Sequence, residues 1–327
     1  MQKIIHVAVA VIYYQNQYLL GYRNANQHQG NRYEFIGGKI EHGETPKQGL
    51  TREVAEEIGC DLSNNCLVKM GVIRHDYGDK AVALHIFNID VSQEQFESLQ
   101  SEQGSEGQTI IWVDKADLLA NKYPLPDANA RILDWLTLPN TIFISQSLDK
   151  FANDNDWVNF YAKNLPTNAH FYSRSQTENK KAIQLIDELQ KQRQDITPLI
   201  QCQTFLVLNL VFKNMIIHLN HEQLMTLDFA DLPKNCQYFA SCHDKNSLSK
   251  INDLAKIRNV LGCFVSPVLP TPTHPDVKTL GWQRFAELTK LSDVPVFALG
   301  GVGQDDLATA WQYGAVGVAG IRLIGDF

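Results

Sequence analysis

Residues 38–60 read GKIEHGETPKQGLTREVAEEIGC, and this stretch decides how the first part of the chain folds. Thr45 can cap a helix, Pro46 suits its first position, and Gln48 completes a capping box. Gly59 tolerates the left-handed conformation that follows a helix end. The stretch therefore predicts a helix of roughly three and a half turns between Thr45 and Gly59.

The predicted helix has an apolar side and an acidic side. Three apolar residues recur at four-residue spacing and should pack on a core; they are Leu50, Val54 and Ile58. Glu53, Glu56 and Glu57 are spaced i, i+3 and i+4, so they crowd together on a neighbouring face. Like charges at this spacing cost an exposed helix about 0.2–0.5 kcal/mol per pair. A hard divalent cation offsets this repulsion, because Mg²⁺ binds through carboxylates together with substrate phosphates.

The residues around the helix decide between a cation site and a solvated acidic face, which is the commoner origin of a bare Glu-x-x-Glu-Glu pattern. Gly37-Gly38 and Gly43 allow a tight loop whose backbone can approach a ligand closely. Glu44 and Arg52 stand at fixed offsets from these glycines, and Arg52 is expected to hold one carboxylate by a bidentate pair. We therefore predict a Mg²⁺ site, with Mn²⁺ as a substitute.

The same stretch resembles the Nudix box, the signature of hydrolases that cut a diphosphate joined to another group. Its spacing is a glycine, five residues, Glu44, seven residues and then the run 52–59, and only Cys60 departs from the usual aliphatic residue. The resemblance implies metal-assisted substitution at phosphorus, with Glu53 as the candidate base for the attacking water. The implied metal-binding groups are the carboxylates of Glu53, Glu56 and Glu57 and the carbonyl of Gly37. The implied catalytic residues are Arg52, Glu53, Glu56 and Glu57.

The nucleotide-contacting segments resemble those of the MutT-type 8-oxo-dGTP diphosphatases. Residues 23–28 and 33–39 correspond to one contacting stretch, and 126–129 to a late Pro-x-Ala-Asn segment. The implied substrate-binding residues are Arg23, His28, Glu34, Phe35, Ile36, Gly37 and Asn129. Phe35 would line the base pocket, and Asn129 would read the purine edge, since an amide offers both donors and an acceptor. The alternatives are plain burial for Phe35 and helix capping for Asn129.

One position departs from the MutT-type pattern in a way that concerns the metal. These enzymes carry a metal-serving glutamate directly before a tryptophan, and here Ile111 precedes Trp112. Glu102 and Glu106, in the preceding loop, are the two candidates to replace it.

After Pro139-Asn140 the pattern changes to short apolar runs separated by helical segments, which favours a (β/α)₈ barrel over residues 141–327. Residues 1–138 are predicted as a separate Nudix α/β/α sandwich. The predicted barrel strands are 141–145, 169–173, 196–201, 215–219, 238–241, 262–266, 294–299 and 316–319.

The barrel resembles thiamine phosphate synthase and its relative TenI. The stretches that carry the resemblance are 240–244, 266–274, 280–282, 295–302 and 314–320. Family ligands for Mg²⁺ and diphosphate appear here as Cys202-Gln203, Glu222-Gln223 and His274, so we expect a catalytically degenerate barrel. Backbone amides should still cradle a phosphorylated ligand. The candidate contacts are Gly300, Gly301, Gly317, Thr271 and Thr273.

The amino-acid composition limits which binding partners and which cellular location are expected. The 327 residues carry a net charge of −7, so a nucleic-acid duplex is not an expected partner. No apolar run reaches bilayer-spanning length and the first residues lack a signal-peptide shape, so we expect no membrane contact and a cytoplasmic location. The six cysteines form no Cys-x-x-Cys pair, which indicates reduced thiols.

Together these features predict a Mg²⁺-dependent nucleoside triphosphate diphosphatase that converts 8-oxo-dGTP to 8-oxo-dGMP and pyrophosphate and so cleans the nucleotide pool. Two alternatives stay open. The chain could also be an active thiamine phosphate synthase, or its Nudix domain could cut thiamine-related diphosphates with the barrel as a ligand-binding module. Asn129 and Phe35 favour the nucleotide, and the changed barrel ligands argue against the synthase.

Overall fold

The computed structural model describes residues 4–24, 30–78, 80–208, 215–271 and 277–324. The chain divides into two compact units, residues 1–137 and 138–327. A mixed seven-stranded sheet organises the first unit, and a closed barrel of eight parallel strands forms the second. Among the described residues, no helix has both the length and the apolar character that crossing a membrane requires.

The first unit places helices around its mixed sheet. Its strands are β1 (Ile4–Tyr14), β2 (Gln17–Arg23), β3 (Arg32–Glu34), β4 (Ile36–Lys39), β5 (Val68–Asp76), β6 (Ala81–Asp90) and β7 (Ile110–Asp114). Its helices are α1 (Pro46–Ile58), α2 (Gln93–Ser98), α3 (Lys115–Leu119) and α4 (Ala130–Leu136), with a 3₁₀ turn at Asp127–Asn129. The sheet order is β3-β2-β1-β6-β5, while β4 pairs with β1 and β7 pairs with β2. Strand β1 runs parallel to β6 and antiparallel to β2 and β4.

Helix α1 forms as the sequence predicts. The Thr45 hydroxyl accepts a hydrogen bond from the Gln48 N–H at 3.3 Å, and the Gln48 side chain accepts from the Thr45 N–H at 2.9 Å. Gly59 ends the helix in the left-handed conformation, with φ of 67°. The predicted apolar side is buried in the core, with Leu50 and Val54 fully covered. These contacts fix α1 against the sheet and so fix its acidic side beside β4.

The segment at Gly37-Gly38 is a strand and not the predicted loop. Residues 36–39 form β4 and pair with β1, which supplies backbone partners along the segment. A Cβ on Gly37, where φ is 145°, would stand 2.1 Å from the Ala8 carbonyl oxygen. Glycine is therefore required here because the two backbones approach closely. Strand β3 and helix α2 were also absent from the sequence-based prediction.

The second unit contains all eight predicted barrel strands. They are β8 (Thr141–Ile144), β9 (His170–Tyr172), β10 (Thr197–Gln201), β11 (Ile216–Leu219), β12 (Gln237–Cys242), β13 (Asn259–Val265), β14 (Val296–Leu299) and β15 (Gly317–Gly320). The helices between them are α5 (Asp154–Asn164), α6 (Asn179–Gln192), α7 (Cys202–Leu208), α8 (His221–Thr226), α9 (Lys245–Ile257), α10 (Gly281–Thr289) and α11 (Leu307–Gln312). Pairing of β15 with β8 closes the barrel.

Each unit holds a core of its own. In the first unit, Leu19 and Leu50 pack with residues from β1, β4, α1 and β6. In the second, Phe239, Phe264 and Phe297 are fully buried and fill the barrel interior. This interior is packed with side chains, as expected of a (β/α)₈ barrel, so a ligand site is sought at the carboxyl ends of the strands.

Candidate functional site

Arg52 organises the acidic side of α1. Its guanidinium binds both carboxylate oxygens of Glu44, with Nε at 2.8 Å from Oε1 and Nη2 at 3.0 Å from Oε2. The predicted bidentate pair is therefore confirmed, and its partner is Glu44. The Nη1 group also donates to Glu53 at 2.8 Å and to Glu56 at 3.0 Å. A further bond from Nη2 to the Lys39 carbonyl, at 2.9 Å, ties this cluster to β4.

Glu44 is held as a carboxylate. Hydrogen bonds from the Arg52 side chain, and secondly from the Glu41 backbone N–H, lower the pKa of Glu44 to about 2. The acceptor for that backbone bond is Glu44 Oε2, at 2.8 Å from the Glu41 nitrogen. Glu44 therefore stays charged at neutral pH and anchors Arg52.

Glu57 points away from Arg52 and toward β4. Its Oε2 accepts the Gly37 N–H at 3.2 Å. Burial, followed by the charges of Glu34, Glu53 and Glu106, raises the pKa of Glu57 to about 8, although the Gly37 bond acts in the opposite direction. A charged Glu57 is thus surrounded by other carboxylates, and a positive ligand at this point would relieve their repulsion.

The donor chemistry around Glu57 fits a hard divalent cation. The candidate donors, the carboxylates of Glu53 and Glu57 and the Gly37 carbonyl, are all oxygens, which Mg²⁺ prefers. A Cβ on Gly38 would stand 2.1 Å from Glu53 Oε2, so the missing side chain leaves room for that carboxylate against β4. Among the described residues, no group of three or more acidic, histidine or cysteine side chains is arranged so that it could hold a metal ion without rearrangement. Arg52 holds Glu53 and Glu56, so a cation would compete with this guanidinium for them.

Arg23 and Glu34 meet beside the acidic cluster. Arg23 ends β2 and Glu34 ends β3, and their side chains form an ion pair at 2.7 Å. Burial raises the pKa of Glu34, while the Arg23 charge opposes that rise. Glu34 is thereby linked to both Arg23 and Glu57, so two of the predicted substrate-binding residues border the predicted metal site. The structural description does not extend to the third polar residue predicted in this segment, His28.

Two of the predicted substrate-binding side chains are buried. Phe35 and Ile36 are each 2% exposed. Ile36 packs in the core of the first unit, so its side chain has a packing role, and a substrate contact at this residue stays a prediction. Phe35 has a packing role, and its contact with a base stays a prediction.

Asn129 lies in the 3₁₀ turn that leads into α4. Its side chain is 6% exposed and makes no capping hydrogen bond to the helix, although the residue occupies the cap position. Capping was the structural alternative to a role in base recognition, and the geometry does not support it. The backbone of the preceding residue, Ala128, lies close enough to Tyr77 to oppose the rise in the pKa of that phenol that burial causes. The turn therefore lies beside Tyr77, and the Asn129 amide is kept out of the helix hydrogen bonds.

An aromatic cluster borders the same segments and was missed in the sequence. Tyr33 packs edge-on against Tyr22, with ring centroids 5.1 Å apart, and against Tyr123, at 5.3 Å. The Tyr33 N–H also donates to the Pro124 carbonyl at 2.9 Å. These contacts join the 33–39 segment to the loop that precedes Asn129.

A buried histidine, His218, lies near the mouth of the barrel. The His218 ring is 2% exposed and lies 4.4 Å from the Tyr172 ring, measured between centroids. His218 Nε2 is 3.0 Å from the Ser241 hydroxyl, and its Nδ1 has no hydrogen-bond partner among the described residues. Burial first, and the Arg174 charge second, lower the pKa of His218 to about 3, so this imidazole is neutral at physiological pH.

The residues that replace the family's acidic ligands have structural roles of their own. Cys202 is fully buried, and burial raises the pKa of its thiol to about 11. The Gln223 side chain accepts from the Asn220 N–H at 3.1 Å and completes the cap of α8. The Gln223 amide is neutral and is used in the helix cap. This position therefore does not supply the negative charge of the acidic residue that it replaces.

The predicted phosphate contacts in the barrel do not all lie at its carboxyl edge. Gly300 and Gly301 follow β14 with φ of 94° and 71°, and Thr271 lies in the loop after β13. Gly317 instead begins β15, where a Cβ would stand 2.3 Å from the Asn140 carbonyl oxygen. The prediction for Gly317 is therefore corrected, because the residue is required for strand packing at the opposite end from the edge. Thr273 and His274 lie outside the described residues.

Comparisons with known proteins separate the two units. Residues 7–135 match the family model of the NUDIX domain, and residues 175–324 match that of thiamine monophosphate synthase. The chain is 38% identical over 87 residues to the 8-oxo-dGTP diphosphatase of Proteus vulgaris, a match that spans 26% of this chain and 76% of that protein.

Two further relatives extend these similarities. The CTP pyrophosphohydrolase of Escherichia coli K12 is 29% identical over 132 residues, or 40% of this chain and 90% of that protein. The putative thiamine-phosphate synthase 2 of Aquifex aeolicus is 32% identical over 59 residues, which spans 18% of this chain and 32% of that protein.

Proposed function

Because this chain belongs to the Nudix family through its first unit and joins that unit to a barrel of the thiamine monophosphate synthase family, we propose that it hydrolyses 8-oxo-dGTP to 8-oxo-dGMP and pyrophosphate. The single observation that carries the nucleotide assignment is the buried Asn129 amide, which makes no capping bond to α4. An amide held in this way is suited to the donor and acceptor pattern of a purine edge. Similarity to an 8-oxo-dGTP diphosphatase supports the same substrate.

In this proposal the metal is Mg²⁺, held by Glu53, Glu56, Glu57 and the Gly37 carbonyl. Bound there, it would neutralise charge on the phosphate oxygens of the substrate. Glu53 is the proposed base, which orients the attacking water and accepts its proton. Arg52 contacts Glu53 and keeps that carboxylate beside Gly38. Arg52 is thus a positioning residue for the base as well as an anchor for Glu44.

Base recognition in this proposal uses the segments joined by the tyrosine cluster. Asn129 faces the nucleobase, and the hydrogen bond from Tyr33 to Pro124 holds the backbone of the preceding loop. A site built to hydrogen-bond a polar edge rejects analogues that lack it, because its own polar groups would be left unpaired. The extra oxygen and N–H of an 8-oxopurine supply such an edge.

The test is a substrate screen on the purified full chain with Mg²⁺, using 8-oxo-dGTP, dGTP, CTP and thiamine diphosphate. We expect the highest kcat/KM for 8-oxo-dGTP, with pyrophosphate as the released product. Preference for CTP would replace the proposed substrate by that of the Escherichia coli relative. Preference for thiamine diphosphate would instead assign the Nudix unit to thiamine-related compounds.

For the barrel we propose loss of synthase activity with retention of a site for a phosphorylated ligand. Burial of Cys202 and the capping role of Gln223 support the loss. The left-handed Gly300-Gly301 turn at the carboxyl edge supports the phosphate site, because backbone amides bind phosphate at this edge of such barrels. Synthase turnover of the full chain above an enzyme-free blank would overturn this part of the proposal.

A further inference from the structure

The loop before β7, residues 101–109, is fastened to the carboxyl end of α1. The Ser105 N–H donates to the Glu57 carbonyl at 2.7 Å, and the Gln108 side-chain amide donates to the same oxygen at 2.9 Å. Gly104 permits this approach, because a Cβ there would stand 2.5 Å from that oxygen. The position of the loop is therefore set by the backbone of Glu57 itself.

Inside the loop, Glu106 occupies the tip of a tight turn. The Gly104 N–H donates to the Gln108 carbonyl at 2.8 Å, and the Gly107 N–H donates to the Gly104 carbonyl at 3.0 Å. Gly107 has φ of 81°, which favours glycine at this corner. Because both ends of the turn are held, Glu106 has a defined place beside the end of α1, and its charge acts on the Glu57 carboxylate.

Glu102 is placed differently in the same loop. It lies at the base, where its carbonyl accepts the Ile110 N–H at 3.1 Å as β7 begins. Glu106 instead follows directly after Ser105, whose N–H is bound to the Glu57 carbonyl. The two glutamates of the loop are thus distinguished by position: Glu106 lies next to the end of α1, and Glu102 lies where β7 begins.

Among the described residues, the two arginines of the site, Arg52 and Arg23, form ion pairs with other carboxylates and not with Glu57 or Glu106. Arg52 binds Glu44, Glu53 and Glu56, and Arg23 binds Glu34. Within the part of the chain that the structure describes, neither Glu57 nor Glu106 has an ion pair with a lysine or arginine. A divalent cation held in part by Glu57 would be close to Glu106, the loop carboxylate nearer to the end of α1.

We propose that Glu106 supplies the late metal-serving carboxylate that MutT-type enzymes carry at the position of Ile111. The inference rests on the proposed Mg²⁺ site, and it moves one ligand from a strand to the tip of a turn anchored on α1. A loop residue loses more freedom on binding than a strand residue, so this ligand should contribute less affinity than a fixed one.

The test compares three variants of the full chain by Mn²⁺ binding, measured from the electron paramagnetic resonance signal of free Mn²⁺ and by calorimetry with Mg²⁺. Glu106→Gln should weaken binding roughly tenfold, the lower range for loss of a group that supports a metal. Glu102→Gln, the matched control in the same loop, should stay within about twofold of the wild type by the same reasoning. Glu57→Gln reports on the proposed site itself.

The outcomes separate this inference from the function on which it rests. Weaker Mn²⁺ binding in Glu106→Gln than in Glu102→Gln, with partial recovery in an additional variant, Glu106→Asp, supports the assignment. Equal binding in the two loop variants, together with loss in Glu57→Gln, overturns the role of Glu106 and leaves the Nudix site intact. Unchanged binding in all three variants overturns both. Thermal unfolding of each variant verifies that the fold is retained.

Discussion

Within the described residues, the acidic side of α1 and the mouth of the barrel differ in the sign of the charge that lacks an ion-pair partner. On α1, several carboxylates lie together and share one guanidinium, and Glu57 is left among them with a pKa of about 8. At the barrel mouth, the Arg174 charge acts on a neutral imidazole, that of His218, and on a buried phenol, that of Tyr172. The first arrangement would be relieved by an added cation, whereas in the second a positive charge already faces neutral rings. The comparison supports the proposal that the metal site lies on α1.

The largest effect should come from neutralising the carboxylates of α1. Glu53→Gln and Glu57→Gln should each lower turnover of 8-oxo-dGTP by at least about two orders of magnitude, because each removes a positioned acid–base or metal-binding group. Steady-state kinetics at saturating Mg²⁺ measure this. The exposed Glu94 on α2 offers a matched control, and Glu94→Gln should leave the rate unchanged. Normal rates in both α1 variants would contradict the proposal that α1, and not the barrel mouth, carries the metal site.

The neutral histidine of the barrel makes a prediction about acid stability. The pKa of His218 is lowered to about 3 in the folded chain from 6.5. Below pH 6.5 only the unfolded chain takes up this proton, so the free energy of unfolding falls as the pH decreases toward about 3. Between pH 6.5 and about pH 5 the contribution is roughly 1.6 kcal/mol.

Urea unfolding of the wild type and of His218→Gln at these two pH values tests this prediction. The glutamine side chain can still form a hydrogen bond with Ser241. The contributions of the other titrating groups to the pH dependence are the same in both proteins, so they cancel in the comparison. The variant should therefore lose less stability on acidification. An identical pH dependence in the two proteins would show that the imidazole is not held neutral.

Gly38→Ala should sharpen the comparison through geometry rather than charge. The added Cβ would stand 2.1 Å from Glu53 Oε2 and push this carboxylate away from β4. We expect a loss of roughly tenfold in kcat with little change in KM, because a base displaced by a fraction of an ångström is poorly placed. Gly303→Ala in the second unit is the control, since a Cβ there meets nothing closer than 4.0 Å. Equal activity of both variants would contradict the role of Gly38.

The smallest expected effect concerns base selection. Asn129→Ala should lower kcat/KM for 8-oxo-dGTP more than for dGTP, with a change in their ratio of roughly fivefold to tenfold, the value of one hydrogen bond to a polar edge. Competition assays with both nucleotides in one reaction measure this ratio directly. Equal losses on the two nucleotides would make Asn129 a structural residue of the turn.

Local sequence signals predicted the frame of both units. The capping residues around α1 act within a few positions of one another, so Thr45, Gln48 and Gly59 could be interpreted from the sequence alone. The alternation of strands and helices likewise predicted all eight barrel strands. Gly37 and Gly38 were assigned to a loop because their strand character comes from pairing with β1, a contact between distant parts of the chain.

The candidate site was predicted in composition but not in arrangement. Sequence spacing grouped Glu53, Glu56 and Glu57 on one face, yet Arg52 takes two of them and Glu57 turns to the Gly37 backbone. The hydrogen bond from Tyr33 to Pro124 and the bond that fastens the 101–109 loop to α1 join segments far apart in sequence. Neither has a local pattern, so spacing alone could not distinguish Glu106 from Glu102.

Arg52 has a consequence for the stability of the first unit. Its guanidinium acts as an internal counter-ion, so the acidic side of the helix is neutralised in part within the folded chain itself. A Mg²⁺ ion at the proposed site would then replace one positive partner of these carboxylates by another. The capping residues and the buried apolar side of α1 would hold the helix in place with or without that ion.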